Sequence, residues 1–192
     1  MPENAKNLSG TRKVNRGPSA GPENRRALIA AAREVFAADG LQAPFNAVAK
    51  KAGVGQGSLY RHFPDRIALA VAVFDENLDQ LEAAVAAPDA TLNDLLDDVI
   101  EQALVSTAFI DLIWTNVNDE RVAHIGARLN ALVEKLLARE HAAGRIGEHV
   151  ETADVLLAIS MLADVLARSE ADERHAMAER ARTMFRNAFA PR

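Results

Sequence analysis

The stretch Phe45–Phe63, FNAVAKKAGVGQGSLYRHF, carries the plan of the molecule. Phe45, Val48, Ala49 and Ala52 recur at i, i+3, i+4 and i+7, which is one face of a helix, and Gly53 follows as a stop. Gly53 falls where the chain must reverse, a place that favours positive φ. A second, short helix is expected from near Gly55 to Phe63, with Pro64 breaking it. Val54 and Leu59 pin this helix onto the first. Gln56, Gly57, Ser58, Tyr60, Arg61 and His62 are left off the inner face or at its edge. Glutamine reads adenine bidentately, serine and arginine reach base edges, and tyrosine and histidine donate to phosphates. That is the composition of a recognition helix in a helix-turn-helix.

On either side of this stretch the pattern stays helical. Upstream, Leu28, Ile29, Ala32, Val35 and Phe36 keep helix spacing up to Gly40. Downstream, Asp65 is a plausible N-cap for a helix through Ile67, Val73, Leu78 and Val85, ended by Pro88. Thr91 with Asp94 resembles a capping box before Leu92–Ala103. A short separate segment, Phe109–Val117, follows. Asn118 is expected to cap a long helix ending before Gly144, Thr152 to start one apolar on most faces, and Met177–Phe189 to form the last. No strand-like alternation of any length occurs. The reading is all-α with about nine helices: a flexible basic arm (1–21), a three-helix helix-turn-helix domain (22–66) and a helical body (67–192).

Composition narrows the function. The 192 residues are 49% apolar, too many for a mainly disordered chain. There is no cysteine, which excludes disulfides, thiol nucleophiles and cysteine-held metal clusters. The longest mostly apolar stretch, Val155–Ala163, ends at Asp164 and is too short to span a bilayer. With no apolar h-region in the first twenty residues, a cytoplasmic location and no membrane partner are expected. Charge is unevenly placed. Residues 1–66 carry eleven Lys/Arg against five Asp/Glu, net +6; the rest carry eleven against twenty-two, net −11. A basic head on an acidic body suggests that only the head meets a polyanion, although a surface fluctuation would look the same.

The motifs Ala31-Ala32-Arg33-Glu34-Val35-Phe36 through Gly40, Val48-Ala49 through Ala52-Gly53-Val54, and Gly57-Ser58-Leu59-Tyr60-Arg61-His62-Phe63 resemble the N-terminal domain of TetR-family transcriptional regulators over residues 25–73. The resemblance implies an all-α homodimer with a DNA-binding head and, in residues 67–192, a ligand-binding and dimerisation domain. Its function would be that of a repressor released from a palindromic operator on double-stranded DNA by a small-molecule effector, without a cofactor. It implies that Gln56 and Ser58 face base edges, Gly57 allows close backbone approach, and Tyr60 and His62 hold phosphates. Arg66 stands where the family usually has a phosphate-binding lysine, and Asn46 is placed to reach a base or phosphate. Two departures stand out: Pro44 and Gly55 occupy helix starts where the family often has Ser or Thr, so no hydroxyl there donates to phosphate. Arg25 and Arg26 oppose the helix dipole at the start of the first helix by roughly 0.3–1 kcal/mol each, a sign that a phosphate would reverse.

The body yields weaker signals. Trp114 and Phe109 are candidate cavity residues, with ordinary core packing an equal alternative for Trp114. His124 reads as a ligand contact or a hydrogen-bonded structural histidine. Ser160 and Asp164, one turn apart, serve a ligand, a dimer interface or a narrow exposed stripe. Glu140-His141 and Glu148-His149 lack metal-ligand spacing and read as a solvated rim, so no metal is expected. No triad order, P-loop or GxGxxG supports catalysis, so the chain is not read as an enzyme. The competing reading is a helical ligand-binding protein whose head no longer holds DNA. The near-continuous apolar surface of the Val155–Ala167 helix, with the stripe Met177/Phe185/Phe189, calls for cover by a second copy.

Overall fold

The computed structural model describes residues 21–40 and 43–192, with backbone alone at 105–109, 111 and 114. Eight helices occur among the described residues: α1 (Gly21–Asp39), α2 (Phe45–Lys51), α3 (Gln56–His62), α4 (Arg66–Val85), α5 (Leu92–Thr115), α6 (Glu120–Ala142), α7 (Thr152–Arg168) and α8 (Arg174–Phe189). The expected ninth helix is the second half of α5. Residues 104–108 are Leu-Val-Ser-Thr-Ala, without proline or glycine, so nothing stops the helix before Thr115. Of the expected arm, residues 1–20 lie outside the described residues, and Gly21 already belongs to α1.

Local chemistry sets the helix ends. Asp65 caps α4, its Oδ1 accepting from Ala68 N at 2.7 Å. Thr91 and Asp94 cap α5 reciprocally. The cap of α6 is Asp119 rather than Asn118; its carboxylate accepts from Arg121 N at 3.0 Å, and the charged acceptor also holds the Arg121 guanidinium at 2.7 Å. Such caps contribute about 1 kcal/mol each. Gly53, at φ 69°, makes the reversal after α2.

The head is α1–α3 around Leu28, Ile29, Phe36, Val48, Leu59 and Phe63. Leu69 and Val73 from the first half of α4 complete that core, so α4 is structurally part of both head and body. The body packs the second half of α4 with α5–α8 around Leu81, Leu95, Leu136 and Val155, with Phe185 and Phe189 of α8 against it. Ile113 of α5 reaches back to the head core, and Phe74 packs against all three hydrophobic clusters. Arg128 of α6 clamps α4 by pairing with Asp75, Asp79 and Glu82, which share one face at i, i+4, i+7. Glu140 is not on a solvated rim: it is buried, accepts from Leu92 N at the start of α5 and pairs with Arg145.

One face of α7 stays uncovered. Leu157, Met161 and Val165, at i, i+4 and i+8, are 59%, 55% and 45% exposed, and Met184 of α8 is 60% exposed. No helix among the described residues is long and apolar enough to cross a membrane.

Candidate functional site

Helix α3 is anchored by fully buried Leu59 and closed by buried Phe63. With one face fixed, the helical period turns Gln56, Gly57, Tyr60 and Arg61 to solvent, while Ser58 and His62 are half-buried. Tyr60 is oriented by an edge-to-face contact with Phe45 of α2, ring centroids 5.6 Å apart. Neither α2 nor α3 has a side-chain N-cap: Pro44 and Gly55 hold those places in extended backbone. Asn46 is exposed beside Pro44 on the first turn of α2. Arg25 and Arg26 are exposed on α1, and the Arg25 guanidinium lies 5.3 Å over the Phe63 ring, which brings it to the end of α3. Lys51 pairs with Glu34 at 2.6 Å.

Arg66 is turned inward. Its guanidinium sits 5.4 Å from the Phe36 ring and 5.6 Å from the Phe45 ring, and donates to the Ala43 carbonyl. It therefore braces the start of α2 against α1 and α4. The sequence signal was present but ambiguous, because a guanidinium serves a phosphate and an aromatic pair equally well.

In the body, α4–α7 and the turn after α5 enclose a cavity of about 410 Å³, within the ~300–1,000 Å³ of small-molecule sites. Its described lining is aliphatic and aromatic apart from Asn77, Gln102 and Ser160. Val117, Ala123 and Gly126 line it and are exposed, so they mark its mouth. Of the sequence candidates, Ser160 lines the cavity. His124 does not; it is exposed, with Nε2 3.4 Å from Asp75. Asp164 pairs with Arg168 along α7 at 2.8 Å. The side chains of Phe109 and Trp114 lie outside the described residues.

Sequence reasoning missed Asn77 and Gln102, which stand among the apolar positions of α4 and α5. Asn77 is buried, and its Oδ1 accepts from Arg33 Nη2 of α1 at 2.7 Å. Arg33 also donates to the Val73 carbonyl and to Glu76. Gln102 Nε2 donates to the Asn77 carbonyl at 3.2 Å. A chain of hydrogen bonds thus runs from the cavity wall in α5, through α4, to α1 of the head. The signal that could have found them is a lone polar residue inside an apolar stripe.

The family model described as bacterial regulatory proteins, tetR family, matches residues 28–73, which contain α2, α3 and the first turns of α4. Residues 28–73 therefore carry the N-terminal pattern of the TetR family. Among solved structures it is similar to the TetR transcriptional regulator SCO0520 from Streptomyces coelicolor, at 26% identity and TM-score 0.66, over 87% of this chain and 98% of that one. The TetR transcription regulatory protein from Mycobacterium vanbaalenii shares the fold at 24% identity and TM-score 0.65, over 90% and 98%. The fatty acid degradation regulator FadR from Bacillus halodurans shares it at 18% identity and TM-score 0.60, over 85% and 98%. A search of curated proteins returns no match. The chain shares the fold of these transcriptional regulators, with α2 and α3 as the helix-turn-helix.

Proposed function

We propose that the chain is a ligand-responsive, sequence-specific regulator, acting as a homodimeric repressor that a small molecule releases from a palindromic operator. The observation that carries this reading is the sharing of α4: its first half completes the head core and its second half walls the cavity. In this reading residues 22–66 are the DNA-binding domain and 67–192 the effector and dimerisation domain. Gln56, Ser58 and Arg61 face base edges, and Gly57 lets the backbone approach closely. Tyr60, His62, Arg25 and Arg26 meet phosphate and Asn46 a base or phosphate, while Arg66 holds the frame rather than the DNA. The uncovered stripe Leu157/Met161/Val165 and Met184 supply the twofold interface. Two recognition helices about one DNA turn apart, ~34–36 Å, then meet successive major grooves.

An effector in the cavity presses on Phe74 and Ile113, both of which also touch the head core. Release requires the ligand to favour the non-DNA state by about 1–3 kcal/mol, and DNA must weaken ligand binding by the same factor. Binding is confined to the cytoplasm in this reading, where the DNA is.

The test is selection of bound duplexes from a random DNA pool by the purified protein. An enriched inverted repeat, with affinity falling steeply in salt, is expected. No enrichment, even at low salt after stripping copurified ligand, would leave only the competing reading of a ligand-binding protein whose head has lost its operator.

A further inference from the structure

The cavity wall defines the chemistry of what it takes. None of its described lining residues is ionisable. A carboxylate or ammonium placed there loses its hydration without a counter-charge, a penalty that unpaired buried charges do not recover. The polar groups are unequal. Asn77 Oδ1 is held by Arg33, and the Gln102 NH₂ group is held by the Asn77 carbonyl. That leaves the Ser160 hydroxyl, which can both donate and accept, and Gln102 Oε1, which can only accept and to which no described residue donates. Gln102 Oε1 calls for a hydrogen-bond donor on the ligand.

A second, independent observation is Gly126. It lies in the second turn of α6, a helix of 23 residues, and without positive φ. A Cβ built on it meets nothing within 4 Å. Neither backbone conformation nor close packing within the chain requires glycine there, yet glycine weakens a helix interior. The space it keeps empty is the mouth of the cavity.

We propose that the cavity takes an uncharged, mainly apolar small molecule bearing a hydroxyl or N–H donor, which enters past Gly126 and donates to Gln102 Oε1. This rests on the reading of the body as an effector domain and names its ligand class. Because Gln102 also holds Asn77, which Arg33 grips from α1, the same contact is where occupancy meets the hydrogen-bond chain to the head.

Three probes of similar skeleton test it on the full-length protein. N-phenyl-1-naphthylamine is uncharged with one N–H; 8-anilino-1-naphthalenesulfonate adds a sulfonate; 1-phenylnaphthalene lacks the N–H. The expected result is one N-phenyl-1-naphthylamine per chain, read by fluorescence, at least about tenfold tighter than the sulfonate. Gln102→Leu is expected to weaken it by roughly two- to tenfold, the range of one net hydrogen bond, and to leave displacement by 1-phenylnaphthalene within about twofold. Gly126→Trp is expected to weaken it more than about tenfold without lowering the melting temperature; Gly126→Leu stands in if the tryptophan variant does not fold. Equal binding of the sulfonate overturns the uncharged class. Equal weakening of both neutral probes in Gln102→Leu overturns the donor contact. Binding indifferent to both Gly126 variants lies outside the cavity and overturns the site. The DNA selection is separate: an enriched operator with no cavity binding overturns this ligand assignment alone, and cavity binding with no enriched duplex overturns the regulator reading alone.

Discussion

Replacing Leu157 and Met161 together by serine tests the proposed dimer at its centre. Both side chains project from the uncovered face of α7, and neither belongs to a buried cluster of the described chain. Burying a Leu or Met side chain fully contributes about 1.5–3 kcal/mol. With 59% and 55% of these residues still exposed in one copy, a partner that covers them gains roughly 0.9–1.7 kcal/mol from each. A twofold interface counts every residue twice, so four side chains are removed and the total is about 3.5–7 kcal/mol. The dimer dissociation constant is therefore expected to rise by roughly 2.5–5 decades. Sedimentation velocity across nanomolar to tens of micromolar protein measures this, with circular dichroism confirming that the fold persists. Binding to an inverted-repeat operator should fall in parallel, with half-site binding retained. A wild-type chain that is monomeric at tens of micromolar, or a variant whose dissociation constant moves less than about threefold, would refute the argument.

Three further outcomes are expected. Tyr60→Phe and His62→Ala should weaken binding to all duplexes by a similar factor, because a phosphate presents the same oxygens whatever the base, whereas Gln56→Ala should also relax base preference; unchanged preference in a repeated selection removes Gln56 from base reading. Arg66→Met should lower stability by about 1.5–3 kcal/mol, since it removes the hydrogen bond to Ala43 and the cation from between Phe36 and Phe45, and should leave the salt slope of DNA binding unchanged; a reduced slope with unaltered melting would restore a phosphate role. Hydrogen bonds from the Arg121 side chain and backbone hold the Asp119 carboxyl down to about 2, from an ordinary 3.8. A lowered carboxyl contributes stability fully above its unfolded value and loses it as pH falls through the folded one. The cap of α6 should therefore fail between about pH 4 and pH 2, and a carbon-detected titration of Asp119 with a midpoint at 3.8 or above would contradict it.

The head was largely legible. Its helices are bounded by Gly40, Gly53 and Pro64, so local backbone chemistry marks where each one ends. Leu59 inside and Gln56, Tyr60 and Arg61 outside follow from the helical period alone. The caps Asp65 and Thr91 are similarly local, since each side chain reaches a backbone N–H three residues away. Asn118 and Asp119 were not separable in this way, because neighbouring residues offer the same capping chemistry and only the folded turn selects one. The middle of α5 was misjudged for a different reason: its composition changes there, but no residue stops the helix.

The body's site was not legible, and the reason is range. Glu140 reads as a surface acid until the start of α5, 48 residues away, is brought against it. Asn77 looks like an ordinary helix polar residue until Arg33 arrives from 44 residues upstream. Arg66 gives no local sign of the two aromatic rings, Phe36 and Phe45, between which its guanidinium comes to lie. Periodicity and capping act within a few residues, so the sequence carried the helical class, the head and the charge division between head and body. Cavities, buried partners and uncovered faces arise from helices meeting at distances that no local pattern encodes. The apolar wall with its open acceptor at Gln102, the inward Arg66 and the bare stripe of α7 came into being only when those helices packed.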